Sequence, residues 1–263
     1  MHPAGAHRVR LSGAAQLDAT LAKVHAASDG VYGAPRILAD LRDEAERVSR
    51  KTVAAALRRR ALAGICARRF APATTVVDLD AAAPKDPLTR RFDTAILNRV
   101  GTSDITYLGT GEGGLYRCAV RDNYSRRVIG GGSHDCLHTD LVRAAVQVAV
   151  AMRGELAQRV VVHADRGCQC TSAQLARLAR EHNLARSLGR TALCWDNAQQ
   201  ESFWATLNVE FYDRYLWRTK TAATLAAGDG IERVYNRRRG HSALAMICPV
   251  EFENRLTQTA QAA

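Results

Sequence analysis

A chain of 263 residues is long enough to bury a good core and to hold one large domain with a small one beside it. Its 37 Lys and Arg against 26 Asp and Glu leave a net charge of +11, which favours a polyanionic partner, nucleic acid first, over a neutral small molecule. The opening residues have no apolar signal-peptide core and no run of roughly eighteen apolar residues exists to span a bilayer, so a cytoplasmic, nucleoid-associated protein without a membrane role is expected. The 7 cysteines are odd in number and show no framework spacing, which fits free thiols in a reducing compartment.

The charge is uneven, because residues 1–70 carry 13 basic and 6 acidic side chains, a surplus of +7 that leaves +4 for the rest. Leu17, Leu21 and Val24 recur at helical spacing ahead of a turn at Ser28-Asp29-Gly30. A second helix starts at Pro35, buries Ile37, Leu38 and Leu41, and ends near Glu46. Ser49 reads as the N-cap of a third, which buries Val53 and Leu57 and closes at Gly64. Arg50, Lys51, Arg58 and Arg59 lie on its other faces, so the 1–70 segment reads as a helix-turn-helix DNA-binding domain. A solvated charged helix in a small bundle is the alternative from periodicity alone.

Residues 71–95, with three prolines and an alanine run, read as a linker with one short strand at Thr75–Val77. Beyond it, from residue 96 to 256, the pattern changes. Strands are expected at Ile105–Leu108, Leu115–Val120 and Arg127–Ile129, with a hairpin turn at residues 111–114. A helix over Leu141–Met152, a buried strand over Val160–Val162, a helix over Ser172–His182 and a strand over Ala185–Leu188 follow. Strands in succession and then alternating helix and strand give an α/β fold, a mixed sheet flanked by helices.

Three carboxylates stand out against this pattern. Asp104 lies inside a strand, where aspartate is disfavoured. Asp165 follows the apolar Val160–Val162 run, at a strand's C-terminal end, where sites collect in open α/β sheets. Glu201 shares or borders a helix face with Trp204 and Leu207 and can point back at the sheet. Each alone is matched by a solvated surface acid; together they suit two Mg²⁺ or Mn²⁺ ions, which take a few carboxylates and keep other positions for water and phosphate oxygens. His163 and Asn197 adjoin these acids and either orient water or DNA or make structural hydrogen bonds. Cys168 and Cys170 near His163 lack the second ligand pair of a structural zinc site. Arg237, Arg238, Arg239 and His241 read as a basic loop that grips phosphates, or as an ordinary exposed cluster.

Ser103-Asp104-Ile105-Thr106-Tyr107-Leu108, His163-Ala164-Asp165-Arg166-Gly167, Cys194-Trp195-Asp196-Asn197-Ala198 and Glu201-Ser202-Phe203-Trp204-Ala205-Thr206-Leu207 occur in that order. The set resembles the bacterial insertion-sequence transposases of the second-reading-frame type, with a retroviral-integrase-like catalytic core. Between Asp165 and Glu201 lie 35 residues, the family's common spacing. Tyr235-Asn236-Arg237-Arg238-Arg239, His241-Ser242-Ala243-Leu244 and Pro249-Val250-Glu251-Phe252 are similar to its C-terminal signature; Tyr32-Gly33-Ala34-Pro35-Arg36-Ile37 and Val48-Ser49-Arg50-Lys51-Thr52-Val53 are similar to its helix-turn-helix segment.

The resemblance implies an RNase H-like core and a metal-dependent DNA strand cleavage and transfer centre at Asp104, Asp165 and Glu201. It also implies double-stranded DNA as substrate, as element ends and target, a homo-oligomer assembled on it, and an upstream-frame protein or frameshift fusion as a further partner. A catalytically inactive DNA-binding remnant is the alternative, and a cellular RNase H-like nuclease the third. Gly101 and Gly131 stand where the family usually has large aromatics, and Cys168 and Cys170 where serine and tyrosine are common, losses expected to leave cavities.

Overall fold

The computed structural model describes residues 13–66, 95–155, 158–164, 172–188 and 198–262. The expected strand at Thr75–Val77, most of the linker, and Asp165, Cys168, Cys170 and Asn197 lie outside them. The chain divides into two compact units, Met1–Ala67 and Arg68–Ala263.

In the first unit, helices α1 (Ala14–Ala27), α2 (Ala34–Asp43) and α3 (Arg50–Arg59) enclose a core of Leu17, Leu21, Ile37, Leu38, Leu41 and Val53 with their neighbours. Ser49 caps α3 as expected, its Oγ accepting the Thr52 N–H at 3.1 Å. Both later helices stop sooner than glycine and charge signals suggested. Ala45 (φ 62°) and Ala61 (φ 52°) turn left-handed, and the following amides, Glu46 and Leu62, close back on the Leu41 and Leu57 carbonyls at 2.8 and 2.9 Å. These are Schellman closures built on alanine instead of the glycine such turns favour.

The second unit is built on a five-stranded sheet of order β3-β2-β1-β4-β5 among the described residues. Its strands are β1 (Val100–Thr110), β2 (Gly113–Asp122), β3 (Val128–His134), β4 (Val160–Ala164) and β5 (Leu184–Leu188). β1, β2 and β3 run antiparallel as successive hairpins, while β4 pairs parallel with β1 and β5 parallel with β4. β1 starts earlier than its apolar residues announce, because Thr102 and Ser103 are buried between β2 and β4. β3 extends through a glycine run of low strand propensity, and the reason is steric. A Cβ on Gly130 would lie 2.2 Å from the Ala145 carbonyl oxygen, so the backbone of helix α4 (Thr139–Arg153) packs directly on the strand.

Alternation along the strands sorts the two faces. Cys118, Val120 and Ala164 meet α4 and α5 (Ala173–Glu181). Ala119 and Val128, on the other face, meet Phe203, Trp204 and Leu207 of α6 (Ala198–Glu210) and Ile231 and Tyr235 of the π-helical segment Gly230–Asn236. That segment continues α7 (Lys220–Asp229). The C-terminal helix α8 (Pro249–Ala262) is tied to the sheet by Glu253, which accepts from Ser125 Oγ at 2.7 Å and from the guanidiniums of Arg127 and Arg153. Burial opposes ionisation of Glu253, but the Arg153, Ser125 and Arg127 contacts outweigh it and hold the carboxyl below its ordinary range. Among the described residues no helix is long and apolar enough to cross a membrane.

Candidate active site

Asp104 sits on β1 directly opposite Ala119 of β2, and therefore on the face that α6 covers. It is half-buried, and its Oδ1 accepts the Ile105 N–H at 2.8 Å. Glu201 lies in the first turn of α6 with its side chain exposed.

A buried polar link fixes that turn against β1. The residue before Glu201, Gln200, is 0 % exposed and donates from Nε2 to the Ala119 carbonyl at 3.2 Å. The Thr102 hydroxyl lies 3.1 Å from Gln200 Oε1 and 2.8 Å from Asn123 Oδ1, two acceptors for one proton. Thr102 is two residues from Asp104 on the same strand and so on the same face. The backbone that carries Glu201 is thus anchored beside the strand position that carries Asp104. Phe203 and Trp204, with ring centroids 4.6 Å apart, seal the next turn of the helix onto Ala119.

β4 brings up the third element. Thr102 pairs with His163 and Ser103 with Ala164, the last residue of the strand. Asp165 is the next residue, and it lies outside the described residues, as do Asp196 and Asn197. His163 is fully buried, with Nδ1 2.8 Å from Ser187 Oγ on β5, an environment that orients the ring from the neighbouring strand. Among the described residues no three of His, Cys, Asp and Glu group around a metal position; of the three expected acids, two belong to those residues.

Another buried acid nearby has a structural part. Asp122 uses Oδ1 on the Tyr124 and Ser125 amides at 3.0 and 2.8 Å and Oδ2 on the Asn98 amide at 2.9 Å, which shapes the turn after β2.

The basic residues divide. Arg50, Lys51, Arg58 and Arg59 are exposed on α3, Arg59 reaching Asp18 Oδ1 at 2.6 Å. Arg237 and Arg238 are exposed as well, Arg237 bonding Glu232 at 2.7 Å. Arg239 departs from the expected exposed loop: it is 8 % exposed and grips Glu210 with two prongs of 2.6 and 2.7 Å. A guanidinium removed from water needs a carboxylate, and α6 supplies it. His241 stacks edge-on against Tyr235 at 4.7 Å. Sequence reasoning missed Thr102, Gln200, Asn123 and Arg121, because buried polar residues read as surface in a hydrophobic pattern.

Comparison with known proteins decides the family. A model described as the integrase core domain matches residues 96–194, and one described as an HTH-like domain matches residues 14–70. Transposase InsF for insertion sequence IS3A of Escherichia coli (strain K12) is 36 % identical over 226 residues, covering 85 % of this chain and 77 % of that protein. The chain belongs to the insertion-sequence transposases with an integrase core. A second member of this transposase family, the putative transposase for insertion sequence element IS986/IS6110 of Mycobacterium tuberculosis (strain CDC 1551 / Oshkosh), is 31 % identical over 243 residues, 90 % of this chain and 87 % of the relative. Among solved structures, the simian T-cell lymphotropic virus intasome in complex with PP2A regulatory subunit B56 gamma aligns with TM-score 0.50 at 12 % identity. The alignment covers 88 % of this chain and 73 % of that one. At that identity the likeness concerns fold, and the mixed sheet between helical layers is the RNase H-like arrangement expected for a transposase core.

Proposed function

We propose that this transposase cleaves DNA at element ends and joins the freed 3′ ends to target DNA, with Asp104, Asp165 and Glu201 as its metal-binding acids. The observation that carries the reading is the buried Gln200 link, which anchors the start of α6 next to the β1 face bearing Asp104. The candidate donors are carboxylates, without thiolate or imidazole, a set suited to hard cations, so these three acids would hold two Mg²⁺ or Mn²⁺ ions. Bound there, the ions would activate the attacking oxygen and stabilise the departing one in an in-line displacement at phosphorus.

The rest falls to the chain's own residues. Gln200, Thr102 and Asn123 hold the helix start in register with β1, and Phe203 and Trp204 keep water from beneath it. Cleavage transfers a phosphoryl group from a 3′ oxygen to water; joining exchanges one phosphodiester for another, so no external energy source and no Ser, Tyr or Cys nucleophile is required. The exposed arginines and lysine of α3, with Arg237 and Arg238, would contact phosphates of double-stranded DNA. The active form would be a homo-oligomer on that DNA, with an upstream-frame product as a further partner.

The test is cleavage and joining of labelled duplexes taken from the gene's own flanks, with Mg²⁺ or Mn²⁺, for wild type, Asp165→Asn and Glu201→Gln. Joining by wild type and loss in both variants, with DNA binding kept, is the expected outcome. Equal activity in a variant removes that acid from the site. Binding without any product, with or without the upstream-frame protein, would mark an inactive DNA-binding descendant.

A further inference from the structure

The segment between α6 and α7 is fastened at both ends, yet it holds an apolar side chain in open water. After the tight turn Tyr212–Arg214, the Trp217 indole N–H donates to the Tyr212 carbonyl at 3.0 Å. The Trp217 ring lies 5.4, 5.7 and 5.9 Å from those of Tyr212, Tyr215 and Phe211. The Trp217 carbonyl accepts the Gly111 N–H at 2.8 Å, and the Tyr212 hydroxyl donates to the Gly109 carbonyl at 2.9 Å. A Cβ on Gly111 would lie 2.6 Å from the Arg218 carbonyl oxygen, so the segment's backbone packs directly on the tip of the β1–β2 hairpin. At the far end the Lys220 N–H donates to Glu112 at 2.8 Å. Between these ties Leu216 is 97 % exposed.

A single exposed leucine is ordinary on a protein surface; the setting of this one is not. Residues 211–220 carry three cations and one acid. Lys220 reaches Asp135 at 3.3 Å, and Arg214 and Arg218 stand two residues to either side of Leu216, all three exposed while Trp217 packs inward. Other exposed apolar residues lack such flanks. Leu225, 70 % exposed on α7, is bordered at helical spacing by Thr221, Ala222, Gly228 and Asp229, none of them a cation. Tyr107, 59 % exposed, is an odd number of residues from Asp104 and so on the opposite face of the sheet. An apolar tip between two guanidiniums suits a groove of duplex DNA, where arginines meet phosphates and a leucine enters between base steps.

The tip also lies on the side of the sheet that bears Asp104. Leu108, four residues beyond Asp104 on the same face of β1, packs with Tyr212 and Trp217. Four residues of strand span about 14 Å, roughly the rise of four base pairs.

We propose that Leu216 is a wedge that enters the minor groove of duplex DNA and unstacks one base step, with Arg214 and Arg218 on the flanking phosphates. The opened step lies roughly four base pairs or more from the phosphate that reacts at Asp104. The choice of DNA as the occupant rests on the function proposed above.

The full chain is mixed, without divalent metal, with duplexes from the gene's own flanks that carry 2-aminopurine at successive positions, a base whose fluorescence rises when stacking is lost. Wild type, Leu216→Ala and Leu216→Met are compared at concentrations that saturate each duplex by anisotropy. Wild type should raise the fluorescence at one step. Leu216→Ala should bind and lose most of that rise, and Leu216→Met, long and apolar, should restore it. Because Leu216 is almost wholly in water, neither substitution should disturb the fold.

DNA bound with no rise at any position, or an equal rise with Leu216→Ala, overturns the wedge. A DNA-free wild type that sediments as a dimer beside a monomeric Leu216→Ala protein also overturns it, since a second copy would then cover the leucine. A rise that depends on Leu216 in a protein that never joins strands supports the wedge and counts against the catalytic proposal alone. Failure to bind any duplex overturns both.

Discussion

Gly101 shows what one missing side chain does to this core. It lines a cavity of about 40 Å³ with Val120, Val146, Val160 and Val162 between the sheet and α4. A Cβ placed there would lie 3.6 Å from the Arg121 carbonyl and 3.8 Å from Val120 Cγ1, ordinary contact distances. Glycine inside a strand costs roughly 0.5–1 kcal/mol against alanine, and filling such a void recovers a share of its cavity cost, about 24 cal/mol per Å³. Gly101→Ala should therefore stabilise the second unit by about 1 kcal/mol, read as a higher urea midpoint at unchanged slope; a lower midpoint would refute the cavity. Gly131, the other position where an aromatic was expected, differs, since its Cβ would press to 3.0 Å on the Cys118 carbonyl. Two glycines that look alike in sequence are thus an omission in one case and a close fit in the other.

At the scale of single elements, α2 carries its own strain. Asp40, Asp43 and Glu44 crowd its C-terminal end, where the helix dipole disfavours acids and where spacings of three and four residues bring like charges together. Burial, then the charges of Asp43 and Glu44, push the Asp40 carboxyl up to about 6 from 3.8. The folded helix so holds a proton that the unfolded chain has released. Stability of the first unit is highest below the unfolded value, falls as pH rises toward about 6, and stays at the lower level above it. Asp40→Asn should match wild type at pH 4 and exceed it at pH 7, measured by hydrogen exchange of α2 corrected for intrinsic rate; parallel profiles would remove Asp40 as the cause. Elements like α2, or the β4 strand, were legible because apolar spacing set them. The start of β1, the glycine run of β3 and the Gln200 link were not, because each depends on a partner far along the chain. The same holds for Arg239, whose basic neighbours hide the fact that Glu210 holds it inside. Asp104 and Glu201 were legible as motif residues, yet Gln200, which anchors one near the other, has the character of a surface residue in any hydrophobic pattern.

For the whole molecule the distribution of charge bears on where the proposed holding of DNA would reside. Residues 1–70 contribute +7 of the net +11, and their structured part exposes Arg50, Lys51 and Arg58 along one helix. Residues 71–263 carry the remaining +4, and Arg239, Arg127 and Arg153 are committed to carboxylates among them. Long-range attraction to duplex DNA should then come mainly from residues 1–70, through release of counterions that grows with each phosphate neutralised. Replacing Arg50, Lys51 and Arg58 together with glutamine should lower the slope of log affinity against log salt by roughly 0.9 for each phosphate no longer neutralised, with joining at saturating DNA retained. These side chains are exposed and make no buried ion pair, so the folded state should be little altered. If the slope holds while joining fails, the first unit acts by placing DNA ends for the second, and the anchor lies among the exposed arginines of the second unit, Arg237 and Arg238 first.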